Sequence, residues 1–113
     1  LRVRNKTIKA EKIFTPIECY FNRAIAFSPN DSATHAIYGY YLRKIGEHKK
    51  SKQAYDTALS INPTESKLHY TYSFLLIDMK LYDLALKHAK KAYELGRAPI
   101  GLKNKLISLK VWK

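Results

Sequence analysis

The chain of 113 residues holds a single cysteine, Cys19, so an internal disulfide is excluded. No His and acid stand near it in a nucleophile pattern, and it reads as an ordinary residue of a predicted helix. Glycine and proline are scarce, four of each, and no alternating apolar/polar run lasts more than a few residues. That scarcity favours helix over sheet. No apolar stretch approaches the roughly 18 to 20 residues that a bilayer span needs. A signal-peptide pattern is absent, but the first residue is Leu1 rather than Met, so a removed upstream targeting segment fits the sequence equally well. The compartment is left open, with the cytoplasm as the expectation.

Acidic residues are few. Nine Asp and Glu face 21 Lys and Arg, a formal charge of +12, which predicts attraction to acidic partners. His35, His48, His69 and His88 show no metal-ligand spacing. There is no glycine-rich phosphate loop, no paired carboxylate motif and no Ser/His/Asp pattern. The expectation is a chain without enzymatic activity, metal or cofactor. With 46% hydrophobic and 27% charged residues, the composition is that of a globular chain with a real core.

What is present is a period of 34 residues. Pro29 recurs as Pro63, Ala24 as Ala58 and Ala92, and His35 as His69. Tyr38 recurs as Tyr72, Leu42 as Leu76, and Phe27 as Ile61 and Leu95. A fixed period of this length marks stacked helical units, each burying its apolar face only against its neighbours. Punctuation places the helices. Thr15-Pro16-Ile17-Glu18 is a start signal with a capping box, and Pro29 stops that helix. A second helix is predicted over about 32–45, with Ile37, Tyr38, Tyr41 and Leu42 inward, ended by Gly46. A third covers about 49–61, and a fourth runs from Thr64 or Glu65 to about Met79. A fifth covers about 82–95, and a last one carries Leu102, Leu106, Leu109 and Trp112. Leu1, Ile8 and Phe14 suggest a further helix at the N-terminus.

The residues resemble the tetratricopeptide repeat. His35-x-x-Tyr38-Gly39-x-x-Leu42 stands where that family has Trp, Leu, Gly and Tyr, followed by Ser51, Tyr55, Ala58 and Pro63. The next unit reads His69-x-x-Tyr72-Ser73-x-x-Leu76 with Ala85, Ala89 and Ala92, but has Arg97 where the closing Pro would be. The resemblance implies an all-α, right-handed α-solenoid forming one domain over 1–113. Its repeats would be about 1–31, 32–65 and 66–99, with a capping helix over 100–113.

In the resembled fold, the first helix of each pair lines a concave groove that grips a peptide or helix of a partner protein. Mapped here, Arg2, Lys6 and Lys9 come from the first unit. Ala33, Ala36, Tyr40, Arg43 and Lys44 come from the second, and Lys67, Tyr70, Phe74, Ile77 and Asp78 from the third. Such a groove would be cationic at one end and aromatic at the other, suiting an acidic segment with a bulky apolar anchor. Packing of Tyr40, Tyr70 and Phe74 against one another or under the last helix is the competing role. A carboxylate clamp for chaperone tails is disfavoured, because Tyr40 replaces its central Asn and Tyr70 and Phe74 its later basic pair. The rival expectation is a basic helical module binding RNA or other nucleic acid, from the charge and the nine Tyr and four Phe. Its weakness is that Lys49, Lys50, Lys52, Lys87, Lys90 and Lys91 fall on second helices, away from the groove. The expected state is a monomer or weak homo-oligomer.

Overall fold

The computed structural model describes residues 16–96 and 98–112, and these form six helices joined by short turns, without strands. The groove residues Arg2, Lys6 and Lys9, the Thr15 cap and the helix suggested near the N-terminus lie outside the described residues. Two compact units divide the chain, one up to Asn30 and one from Asp31 onward. The first contains α1 (Pro16–Phe27), which begins at its proline as the start signal predicts. Phe21 is its buried residue, with Tyr20 set edge-on to it at 5.4 Å.

The second unit holds α2 (Ser32–Lys44), α3 (His48–Ile61), α4 (Ser66–Asp78), α5 (Tyr82–Leu95) and α6 (Ile100–Ser108). Asp31 caps α2, its carboxylate accepting from the Ala33 amide at 3.1 Å and the Thr34 hydroxyl at 2.9 Å. Helices α2 and α3 form one hairpin and α4 and α5 the next, with α4 also packed on α3 and α2, and α6 on α4 and α5.

Both hairpin turns are built alike. The amides of Gly46 and Glu47 donate to Arg43 and Leu42, and those of Lys80 and Leu81 donate to Ile77 and Leu76. These are paired reverse bonds that close a helix through one left-handed residue. That residue is Gly46 in the first hairpin (φ 86°) and Lys80 in the second (φ 62°). The two occupy the same place in the 34-residue period, but only one is the glycine that the conformation favours.

Close helix approach rests on small residues. The buried Ser51 hydroxyl on α3 donates to the Gly39 carbonyl on α2 at 2.6 Å. In the next hairpin the direction reverses, and Ser73 on α4 donates to the Ala85 carbonyl on α5 at 2.7 Å. One period separates Gly39 from Ser73 and Ser51 from Ala85, so the hydroxyl has changed helix while the contact is kept. The aromatic Tyr55 fills the space against Gly39 and stacks on Tyr72 at 5.4 Å, whereas its counterpart Ala89 leaves room for the larger Ser73.

The core joins Tyr55, Ala58, Leu68, Tyr72, Leu75, Leu76, Ala85, Ala89, Leu102 and Leu106. Two expectations are corrected. Ile37, predicted inward, is 58% exposed, because α2 turns the stripe His35, Gly39 and Leu42 into the core instead. Helix α6 stops at Ser108, short of the predicted Trp112. Lys110 adopts a left-handed conformation (φ 63°), and the Lys110 and Val111 amides return to Ile107 and Leu106. Trp112 thereby folds back edge-on to Tyr93 at 5.7 Å. Leu109 is 38% exposed just beyond the helix. In the repeat register Ile107 falls one period after Ser73, and its side chain is 47% exposed.

Candidate peptide-binding groove

Helices α2 and α4 lie side by side with α3 behind them, which leaves an open-sided cavity of about 610 Å³. From α2 it takes Ser32, Ala33, Ala36, Ile37 and Tyr40, and from α4 Lys67, Leu68 and Thr71. Asn62 and Glu65 line it from the turn between α3 and α4, and Tyr55 reaches it from α3. Two alanines on the α2 wall supply the concavity, since any longer side chain there would occupy the space. A cavity of this size with mainly apolar walls and a few polar groups is of the kind that holds ligands and anchor side chains.

The residues predicted for a groove separate into two groups. Ala33, Ala36, Tyr40 and Lys67 line the cavity. Tyr40 is about half exposed, and the Lys44 ammonium sits 5.2 Å from its ring centre. The second group belongs to a packed cluster beyond it. The Arg43 guanidinium pairs with the Asp78 carboxylate at 2.5 Å and lies 5.8 Å from the Phe74 ring centre. Phe74 meets Tyr70 edge-on at 5.3 Å, both half-buried against the core. The Tyr70 hydroxyl lies towards α6, 3.7 Å from where a side chain on Gly101 would begin. Ile77 is buried at 7% exposure. Arg43 is thus neutralised in place, and among the described residues of the predicted set Lys44 and Lys67 are the exposed cations.

Sequence reasoning missed Ser32, Ile37, Tyr55, Asn62, Glu65, Leu68 and Thr71 as lining residues. Tyr55 reads from sequence as a gap filler, and its ring does that work, but its hydroxyl has no hydrogen-bond partner in the structure. Burial raises the Tyr55 pKa above the ordinary phenol value, outweighing the nearby Thr71 hydroxyl and the Arg43 charge. Thr71 acts on it at short range but gives its own proton to the Lys67 carbonyl at 3.0 Å, with a longer contact to Leu68 at 3.3 Å.

His69 and His88 form a pair of stacked rings between α4 and α5. His69 Nε2 lies 2.8 Å from the Pro63 carbonyl, which only accepts, so that nitrogen carries the proton. His69 Nδ1 is then an acceptor, and His88 Nδ1–H donates to it at 2.9 Å. Burial, and then the neighbouring His69, push the His88 pKa from 6.5 down to about 4. Among the described residues no three His, Cys, Asp or Glu side chains group to hold a metal ion, and no helix is long and apolar enough to cross a membrane.

No family model matches the sequence, and no curated protein matches it. Solved structures do match. The chain is similar to YrrB, described as a TPR protein with an unusual peptide-binding site, at 20% identity and a TM-score of 0.71. That likeness covers 80% of this chain and 49% of YrrB. A MamA mutant is similar at 26% identity and a TM-score of 0.64, over 69% of this chain and 57% of that one. The chain therefore spans about half the length of the solved structures it matches.

Proposed function

The chain folds as a helical-hairpin array of the tetratricopeptide type, and we propose that it is a non-enzymatic protein–protein interaction scaffold. In this reading repeats over 1–31, 32–65 and 66–99, closed by a terminal helix, form one domain that holds a segment of a partner protein against α2 and α4. The observation that carries it is the 610 Å³ cavity between these two helices, flanked by the half-exposed Tyr40 ring and the exposed Lys67. An aromatic ring beside cations is the usual composition of an interaction hot spot, and a formal charge of +12 steers acidic segments toward the molecule. The ligand class is thus an acidic stretch with one anchor that fills the cavity. YrrB, whose peptide-binding site gives it its description, supports the same use of the fold.

The test is panning of a random peptide library on the purified protein, followed by fluorescence polarisation with the selected peptides. Tyr40→Ala combined with Lys67→Glu should weaken binding at least ~10-fold at unchanged far-UV circular dichroism. Both side chains are surface groups, so loss of fold would not account for the effect. Failure to select any peptide, together with RNA binding of steep salt dependence, would replace this reading with the nucleic-acid one.

A further inference from the structure

The chain has one tryptophan, Trp112, and the fold sets it among cations. The left-handed turn at Lys110 brings it back onto α5, edge-on to Tyr93 at 5.7 Å, and leaves the indole half-buried. The Tyr93 hydroxyl donates to the Pro99 carbonyl and accepts from the Lys103 amide at 3.2 Å, which ties the start of α6 to α5. Across the indole, the Lys103 ammonium lies 5.0 Å from the ring centre and the Lys90 ammonium 5.9 Å. One lysine comes from α6 and the other from α5, so it is tertiary packing that gathers them round one ring.

Neither ammonium group pairs with a carboxylate among the described residues. Glu94, the nearer acid of α5, takes Lys91 at 3.7 Å, and no acid follows it up to Lys113. Lys87, exposed one turn before Lys90, extends the cationic strip along α5. Anions are therefore drawn to this place, and the ring decides which kind. Membrane binding needs an apolar face laid into the lipid, but the ring contacts of Trp112 are Tyr93 and two ammonium groups. An acidic peptide satisfies the lysines and gives the indole no flat partner. A single strand of nucleic acid satisfies both, with phosphates for the lysines and a base face for the indole. We propose that Lys90, Lys103 and Trp112 form a second binding surface that takes single-stranded nucleic acid, one base stacked on the indole and the adjoining phosphates on the lysines. The lysine stems are flexible, so their ammonium groups move from the ring to the phosphates as the base arrives. The surface shares no residue with the lining of the cavity between α2 and α4, and it stands apart from the scaffold reading.

The test titrates the intact chain with oligouridine, heparin and phosphatidylserine vesicles while tryptophan emission is followed. Trp112 is the sole indole, so that emission reports this surface alone. Oligouridine should quench it, because a base lies on the ring. Heparin, a polyanion without bases, should not. In polarisation measurements with labelled oligouridine, Trp112→Ala should bind about 10-fold more weakly. Trp112→Phe, which keeps a ring against Tyr93, should lose less, and this separates stacking from damage to the fold. Lys90→Gln combined with Lys103→Gln should lower the slope of log affinity against log salt by about 1.4. Tyr40→Ala combined with Lys67→Glu, in the cavity, should leave oligouridine binding unchanged. The proposal is overturned if oligouridine leaves the emission unquenched, if heparin quenches it as strongly, or if vesicles shift it to the blue while oligouridine does not bind. Loss of oligouridine binding in the Tyr40 and Lys67 variant would overturn it too, by placing the nucleic acid in the cavity instead.

Discussion

Replacing glycine by alanine should move stability in opposite directions at two helical positions of this chain. A methyl group on Gly39 would sit 2.9 Å from Tyr55 Cδ2, 3.0 Å from Cε2 and 3.3 Å from Cγ, all inside ordinary van der Waals contact. The obstructing atoms belong to an aromatic ring that is 1% exposed and stacked on Tyr72, so it has nowhere to retreat. Overpacking of this kind costs about 1–3 kcal/mol. The gain in helix propensity from glycine to alanine returns about 1 kcal/mol. The balance is a net loss of about 1 kcal/mol, or a melting temperature about 5 °C lower. Gly101, in the first turn of α6, has only the Tyr70 hydroxyl at 3.7 Å, an ordinary contact. Gly101→Ala should therefore stabilise by about 0.5 kcal/mol, less than the full propensity gain because the position is near the helix end. Urea titrations followed at 222 nm would read both as midpoint shifts at constant slope. In a Tyr55→Leu background, which removes the Cε2 contact, the cost of Gly39→Ala should shrink or change sign. A midpoint that rises for Gly39→Ala alone would refute the claim that Tyr55 sets the separation of α2 and α3.

Lys80→Gly should raise stability by about 0.5–1 kcal/mol, read as a higher urea midpoint, since Lys80 holds the left-handed conformation that Gly46 holds in the preceding hairpin. The same substitution at an α-helical surface lysine such as Lys52 should lower it by about 1 kcal/mol. His88 should make the fold acid-sensitive: the unfolded chain binds its proton near 6.5 and the folded chain only near 4, so stability falls as pH drops through that window. The full difference corresponds to ~3 kcal/mol, and partial solvent access reduces it to about 1–2 kcal/mol. His69, Lys87 and Lys52 oppose the proton while Asp56 favours it, so melting temperatures at pH 7 and 4.5 should differ less in His88→Gln than in the parent chain.

The helix order was legible because Pro16, Pro29, Pro63 and Gly46 act through the backbone, and backbone restriction needs no knowledge of neighbours. The end of α6 was not legible, because Lys110 carries no sign of the left-handed conformation it adopts, and the apolar spacing continues to Trp112 past the true stop. Four of the eleven residues that line the cavity were readable as well. The resemblance to the tetratricopeptide repeat implies that Ala33, Ala36, Tyr40 and Lys67 face a groove from first helices, and they line the cavity. It cannot distinguish a face that stays open from one that closes on itself, as the Arg43, Asp78, Phe74 and Tyr70 cluster does. That Thr71, sixteen positions further along the chain, comes within reach of the Tyr55 hydroxyl is a matter of packing between α3 and α4 that spacing does not show.

Ile107 stands in the register that Gly39 and Ser73 occupy in the two complete hairpins, where a second helix must come within contact of the first backbone. A branched side chain at that spot props away any helix attempting the same embrace with α6. A helix packed on α6 in that manner would accordingly meet an isoleucine where the two complete hairpins offer glycine and serine.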